Sequence, residues 1–274
     1  MTVDAHHHLW DLSVRDQDWI PELSPLRRDF TLDDLAPEAR AAGVDRTVLV
    51  QTITVPEETP EFLALAEAHD LVAGVVGWTD LTRPDVADEL ARLRELPGGR
   101  YLKGIRHQVQ GEPDPDWLLR PDVHRGLAAI AEAGLVYDLI VQPHQLPASA
   151  KAAASHPELT FVLDHLGKPP IVSGALDPWS VDLRTLSALP NTVAKLSGLV
   201  TEADLETWTV DDLRPYTDVA LDAFGPDRLM FGSDWPVSLL GATYGQVMDA
   251  ARELTPESTH TQIFETTATR VYDL

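Results

Sequence analysis

The sequence predicts an α/β fold, a closed (β/α)8 or TIM barrel forming a single domain over residues 1–274, and three observations carry that reading. Eight short β-rich apolar runs alternate with Ala/Leu/Glu/Arg-rich stretches of helical spacing. The runs are close to continuously apolar, as strands buried on both faces must be. No GxGxxG follows the first run and no linker divides the chain, so an open doubly wound sheet or a two-domain layout fits less well.

The elements follow in order. The first run, TVDAHHHLW, covers 2–10. Residues 11–30 carry no periodicity, and a loop of that length in a compact domain tends to be functional, so we place it over the barrel mouth. Thr31 then caps a helix, with Asp34 as the acidic third residue and Gly43 as the stop. TVLVQTI (47–53) and LVAGVVGW (71–78) are the next runs. Pro84 to Leu96 is a helix with Val86, Leu90 and Leu93 on one face, ended by Pro97-Gly98-Gly99. YLKGIRHQV (101–109) precedes a helix from Asp122 to Ala133, stopped at Gly134. LVYDLIV (135–141), LTFVLDHLG (159–167) and NTVAKLSGL (191–199) are runs five to seven. Helices at Asp211 to Phe224 and Tyr244 to Leu254 bracket the eighth run, DRLMFGSDW (227–235).

Composition narrows the function. There are 44 acidic against 21 basic residues, a formal charge of −23, which argues against a nucleic-acid partner, since that needs a basic stripe. Without cysteine, disulfides and thiolate metal sites are excluded, and any metal must be held by His and carboxylates. No basic n-region precedes an apolar segment and no window approaches a membrane span, so we expect a soluble cytoplasmic protein. Tryptophans expected to be exposed, Trp179 and Trp208, permit a homodimer as well as a monomer.

In such a barrel the residues at C-terminal strand ends face the active site, which turns strand position into a test. His6 and His8 lie near the end of the first run, and a period of two sends both to one face. The fourth run ends in Arg106-His107, the fifth leads to Gln142 and His144, the sixth ends at Asp164-His165, and the eighth at Ser233-Asp234-Trp235; Lys195 lies in the seventh. A lone buried His is more often a satisfied core hydrogen-bonder than a catalyst. The HxH pair is the stronger signal, and its apolar surroundings speak against a tag remnant. Trp10, Trp78 and Trp235 suit rim packing as well as ligand stacking. His69, His156 and His260, and with them His124, are assigned to the solvated outside.

DAHHHLWD, LRRDFTLDDL, KGIRH, FVLDHLGKP, AKLSGL and MFGSDWP, in this order, resemble the amidohydrolase superfamily, and within it the sugar-lactone hydrolase branch that includes fuconolactonase, rhamnonolactonase and sulfomuconolactone hydrolase. The likeness runs from Asp4 to Tyr272 and implies a distorted barrel with its site at the C-terminal strand ends. It implies metal ligands, or their descendants, at His6, His8, His165 and Asp234. The fourth-strand position holds Arg106 or His107 in place of a bridging Lys, so a binuclear centre is not expected. His144 is the fifth-strand candidate. Thr266 and Thr267 stand where the family tends to have Gly and Asn, which we read as a changed helix start.

The resemblance and the chemistry together point to opening of a sugar or muconate-type lactone. Asp234 is the expected base for water, with His6, His8 and His165 either donating to the oxyanion or holding one divalent metal, zinc by the N3O donor set. Relatives in this branch also work without an obligatory metal, so both forms stay open. Arg27, Arg28, Arg106 and Lys195 are the candidate cations for substrate; His107, Gln51, Trp78, Ser197, His144 and Trp10 are candidate walls. Lys168 is read as a structural tie for the loop after the sixth strand. Two other readings remain: a metal-dependent nonhydrolytic decarboxylase of the same superfamily, and a noncatalytic ligand-binding barrel.

Overall fold

The computed structural model describes residues 1–274. Eight strands, β1 (Val3–His7), β2 (Arg46–Val50), β3 (Val72–Gly77), β4 (Leu102–His107), β5 (Val136–Leu139), β6 (Phe161–Leu163), β7 (Thr192–Leu196) and β8 (Leu229–Phe231), pair in sequence order, every neighbour parallel. The ring is joined between its ends by a parallel bridge from His7 to Trp235, with His6 O accepting from Asp234 N at 2.8 Å. Parallel neighbours need a crossover, and right-handed helical crossovers around the outside are what the alternating pattern supplies.

The helices are α1 (Leu32–Ala41), α2 (Glu58–Ala68), α3 (Val86–Glu95), α4 (Pro121–Glu132), α5 (Leu146–Ser155), α6 (Trp179–Ser187), α7 (Val210–Phe224), α8 (Tyr244–Leu254) and α9 (Thr267–Tyr272). The five helices expected from sequence are present within one or two residues of their boundaries. The α1 cap is as expected, with Asp34 accepting from both the Thr31 N–H and its hydroxyl. The changed C-terminal start is a π-turn over Gln262–Thr266 that runs into α9.

Two apolar cores divide the work. The larger lies between strands and helices. A small one fills the foot of the barrel, where Val3, Val48, Val76, Val162 and Met230 interlock and Tyr272 of α9 closes the end. The loop 11–30 is clasped by reciprocal hydrogen bonds between Trp10 and Phe30 at 3.0 and 2.9 Å and folds over the mouth.

Two surface assignments need correction. Trp179 is fully buried, because it opens α6 and donates its indole N–H to Leu166 O at 2.8 Å. It therefore cannot support a dimer interface. His156 is also buried, held against His124 at 2.7 Å between α4 and α5.

Candidate active site

The first strand delivers His6 and His8 to the barrel interior and sends His7 the other way, where its Nε2 meets Thr47 Oγ1 at 2.9 Å. The interior pair converges, Nε2 to Nε2, at 3.1 Å. Asp234 and His165 complete the group from β8 and β6. Asp234 Oδ1 lies 3.5 Å from His8 Nε2, 3.7 Å from His6 Nε2 and 3.8 Å from His165 Nε2.

Both late arrivals depend on left-handed backbone. His165 has φ 53° and Asp234 φ 55°, a region non-glycine residues seldom occupy. Each thus turns its side chain inward immediately past a three-residue strand. Gly198, at φ +63°, leaves the space for this: a Cβ there would fall 2.5 Å from His165 Nδ1 and 3.1 Å from Asp234 Oδ2.

Under this group lies a buried ionic layer. Lys195 Nζ reaches Asp138 Oδ2 at 2.5 Å, Asp164 Oδ1 at 3.0 Å and His6 Nδ1 at 3.1 Å. Arg106 donates to Asp164 Oδ2 at 2.9 Å, to Gln51 Oε1 at 2.9 Å and to the Gln51 carbonyl. Burial alone would push Asp164 up, but Lys195, His6 and Arg106 hold it well below the usual carboxylate range. Burial likewise acts on Asp234, and its neighbours His165, His8 and Lys168 outweigh it, leaving the carboxyl lowered and ionised. Burial keeps His6 well below the ordinary imidazole value and takes His165 to about 4, so both rings are neutral at pH 7.

Above the group opens a cavity of about 180 Å³. Its floor is His8, His165, Asp234 and Arg106; Trp19 comes from the long loop, and Gln108, Gln110, Lys168 and Glu202 form much of the polar wall. Gln108 and Gln110 escaped sequence reading because they sit on irregular turns just past β4, with no period to mark them. Lys168 was visible in LGKP, yet it is more than a loop tie: it lines the cavity and pairs with Glu202 at 3.5 Å.

Several expected substrate contacts lie elsewhere. Lys195 is wholly buried two residues below the rim, consumed by Asp138 and Asp164. Gln51 is buried behind Arg106. Trp78 donates its indole N–H to His107 Nδ1 at 3.1 Å, while His107 stacks on Trp117 and binds Glu112 at 2.8 Å, a wall outside the cavity. Trp10 gives its N–H to Arg28 O and lines a separate apolar groove. Arg28 lies over Phe30 and beside Asp34 at the surface, Arg27 is paired with Asp16, and His144 is exposed on the turn before α5. Ser197 does reach the site, through His165 Nδ1 at 2.9 Å.

Comparison with known proteins places this geometry. The Amidohydrolase family model matches residues 3–274.

The chain belongs to the amidohydrolase family.

It is 41% identical over 246 residues to the L-fucono-1,5-lactonase of Burkholderia ambifaria, covering 89% of this chain and 83% of that protein. It is 41% identical over 258 residues to the L-fucono-1,5-lactonase of Burkholderia multivorans, covering 90% and 86%. The crystal structure of an amidohydrolase from Burkholderia multivorans with bound zinc superposes with a TM-score of 0.93 at 39% identity, over 100% of this chain and 99% of that one.

The donor set of this amidohydrolase fits a divalent metal. Ligands about 2.0–2.1 Å from a tetrahedral zinc lie roughly 3.3 Å apart, close to the 3.1–3.7 Å separations among His6, His8 and Asp234, with His165 Nε2 approaching the same Asp234 oxygen at 3.8 Å. His8 Nδ1 donates to Val50 O at 2.8 Å, which leaves its Nε2 lone pair facing inward. His6 is the adaptable member, because its Nδ1 has two neighbours of opposite kind. With Lys195 donating to Nδ1, the proton sits on Nε2 and bonds to His8 Nε2, a chain satisfied without metal. With Nδ1–H facing Asp164 Oδ1 at 3.3 Å, Nε2 is free to ligate.

Proposed function

We propose that this amidohydrolase is a sugar lactonase that opens an aldonolactone of the L-fucono-1,5-lactone type, with Asp234 as the base. One observation carries the proposal: an ionised, buried carboxylate and the neutral imidazole of His165 lie side by side on the floor of a sugar-sized cavity in a chain 41% identical to two L-fucono-1,5-lactonases.

Asp234 takes a proton from a water held on the floor, and the water oxygen bonds to the lactone carbonyl carbon. The carbonyl oxygen becomes an oxyanion, met by the Nε2–H of His165 when the Ser197 hydroxyl donates to its Nδ1. The ring C–O bond then breaks, and the proton held by Asp234 passes to the leaving ring oxygen. Water is added across one ester bond and the product is the open hydroxy acid. His6, His8, His165 and Asp234 would hold zinc, which when bound polarises the carbonyl and acidifies water. His165 is kept in register by Ser197, and the wall amides of Gln108 and Gln110 suit the hydroxyls of a polyol ring.

Asp234→Asn keeps the shape and removes the base. Proton release from L-fucono-1,5-lactone should fall at least about 10³-fold in kcat, with the melting temperature held or raised, since a buried charge has gone. Turnover within tenfold of the wild type would remove Asp234 from the role.

A further inference from the structure

We infer that the Lys168–Glu202 pair is a charge filter that restricts this cavity to uncharged lactones, with Glu202 as the specificity-determining residue. The inference rests on the lactonase reading above and goes beyond it by fixing the charge class of the substrate.

Four charged side chains line the cavity, two of each sign: Arg106, Lys168, Glu202 and Asp234. Neither cation is unpaired. Arg106 is nearly fully buried and its donors are spent on Asp164 and on Gln51. Lys168 follows β6 and Glu202 follows β7, and their side chains meet at 3.5 Å across the wall. Both anions line the same cavity. Glu202 sits close enough to Asp234 to feel its charge, which adds to burial in raising the Glu202 carboxyl, while Lys168 opposes both.

The result is a site that offers donors and acceptors in balance, as ring hydroxyls require, and no free cation for a second carboxylate. A carboxylate brought against Glu202 and Asp234 in a low-dielectric pocket is repelled, and the −23 of the whole chain lowers its concentration nearby as well. The same repulsion acts on the product, whose new carboxylate is formed beside Asp234. Glu202 thus serves entry and exit: neutral lactone is admitted, anionic hydroxy acid is pushed out.

The test compares wild type, Glu202→Gln and the double variant Glu202→Gln/Lys168→Met, each confirmed folded by thermal melting. Two substrates are used, L-fucono-1,5-lactone, which is uncharged, and D-glucaro-1,4-lactone, which carries one free carboxylate beside its lactone; D-glucarate binding is read separately by calorimetry. Glu202→Gln frees Lys168 and should move the kcat/KM ratio about tenfold towards the glucarolactone, mainly through KM, and should create D-glucarate binding absent from wild type. The double variant should lose both gains, which a merely structural role for Glu202 would not produce. An unchanged ratio and unchanged glucarate binding in Glu202→Gln overturn the filter, as does a wild type that prefers the glucarolactone. If none of the proteins opens either lactone, the lactonase reading falls, and the glucarate difference still decides the filter.

Discussion

The barrel interior holds two layers built from the same eight strands in opposite ways. At the foot, Val3, Val48, Val76, Val162 and Met230 pack as an apolar plug. One layer up, Asp138, Asp164, Lys195, Arg106 and His6 form a connected ionic network with no exposure worth the name. The foot derives its stability from removing apolar surface from water and tolerates any shape-compatible replacement. The network repays its desolvation only because each charge is met by an opposite one. What it adds is orientation: Lys195 and Asp164 fix His6, and Arg106 carries the floor from Gln51 to Asp164. The difference teaches that stability and function are separated by depth along the strands, by about two residues.

That separation predicts unequal costs. Lys195→Met keeps length and volume but strands Asp138 without its cation and leaves Asp164 only Arg106, so it should cost about 3–5 kcal/mol of unfolding free energy in urea. Val162→Ala in the foot removes two methylene equivalents and should cost roughly 1–2.5 kcal/mol, with kcat on the lactone within about twofold. Equal costs for the two substitutions would erase the distinction between the layers.

Much of this was legible in the sequence, and the residues that were not share a cause. HHH at a strand end, DH and SDW marked the converging group His6, His8, His165 and Asp234, because a period of two and a strand terminus are local signals. Depth is not local. Lys195 and Gln51 alternate correctly into the interior, yet nothing in their neighbours says they stop one layer short of the cavity. The walls were illegible for another reason: Gln108, Gln110 and Glu202 lie on 3-10 turns, whose side-chain directions follow from tertiary packing. Helices α2, α5 and α6 were not delimited, α5 because Pro147 and its alanine-rich stretch mask the periodicity.

Metal sharpens the boundary between network and cavity. Since His6 has a satisfied tautomer through Lys195 and another through Asp164, chelated protein should still melt cooperatively, and zinc at about 100 times its Kd should add roughly 2.7 kcal/mol of stability. The Lys195→Met protein, lacking the ammonium that favours the metal-free tautomer, should bind zinc more tightly by calorimetry. Loss of cooperative melting on chelation would mean that the network cannot complete itself without the ion.

Glu58 marks where the network ends. It is buried at the start of α2, yet its contacts are the Thr52 N–H at 2.8 Å and the Thr52 hydroxyl, with no cation touching it. Burial raises it from 4.5 to about 7, partly opposed by those hydrogen bonds. A carboxyl raised on folding contributes stability that is complete below its unfolded value and is lost as pH climbs through its folded value. Wild type should therefore weaken between about pH 4.5 and 7 at this site, and Glu58→Gln should not. The stability difference between the two proteins should be flat below pH 4.5 and then move in favour of Glu58→Gln by about 3 kcal/mol at pH 8, measured by urea unfolding at each pH. A difference that stays constant across the range would mean that Glu58 ionises in the fold as readily as in the unfolded chain. In that case Arg106, the nearest source of positive charge acting on it, would have to be counted as its partner, and the ionic layer would extend one strand further than the hydrogen bonds indicate.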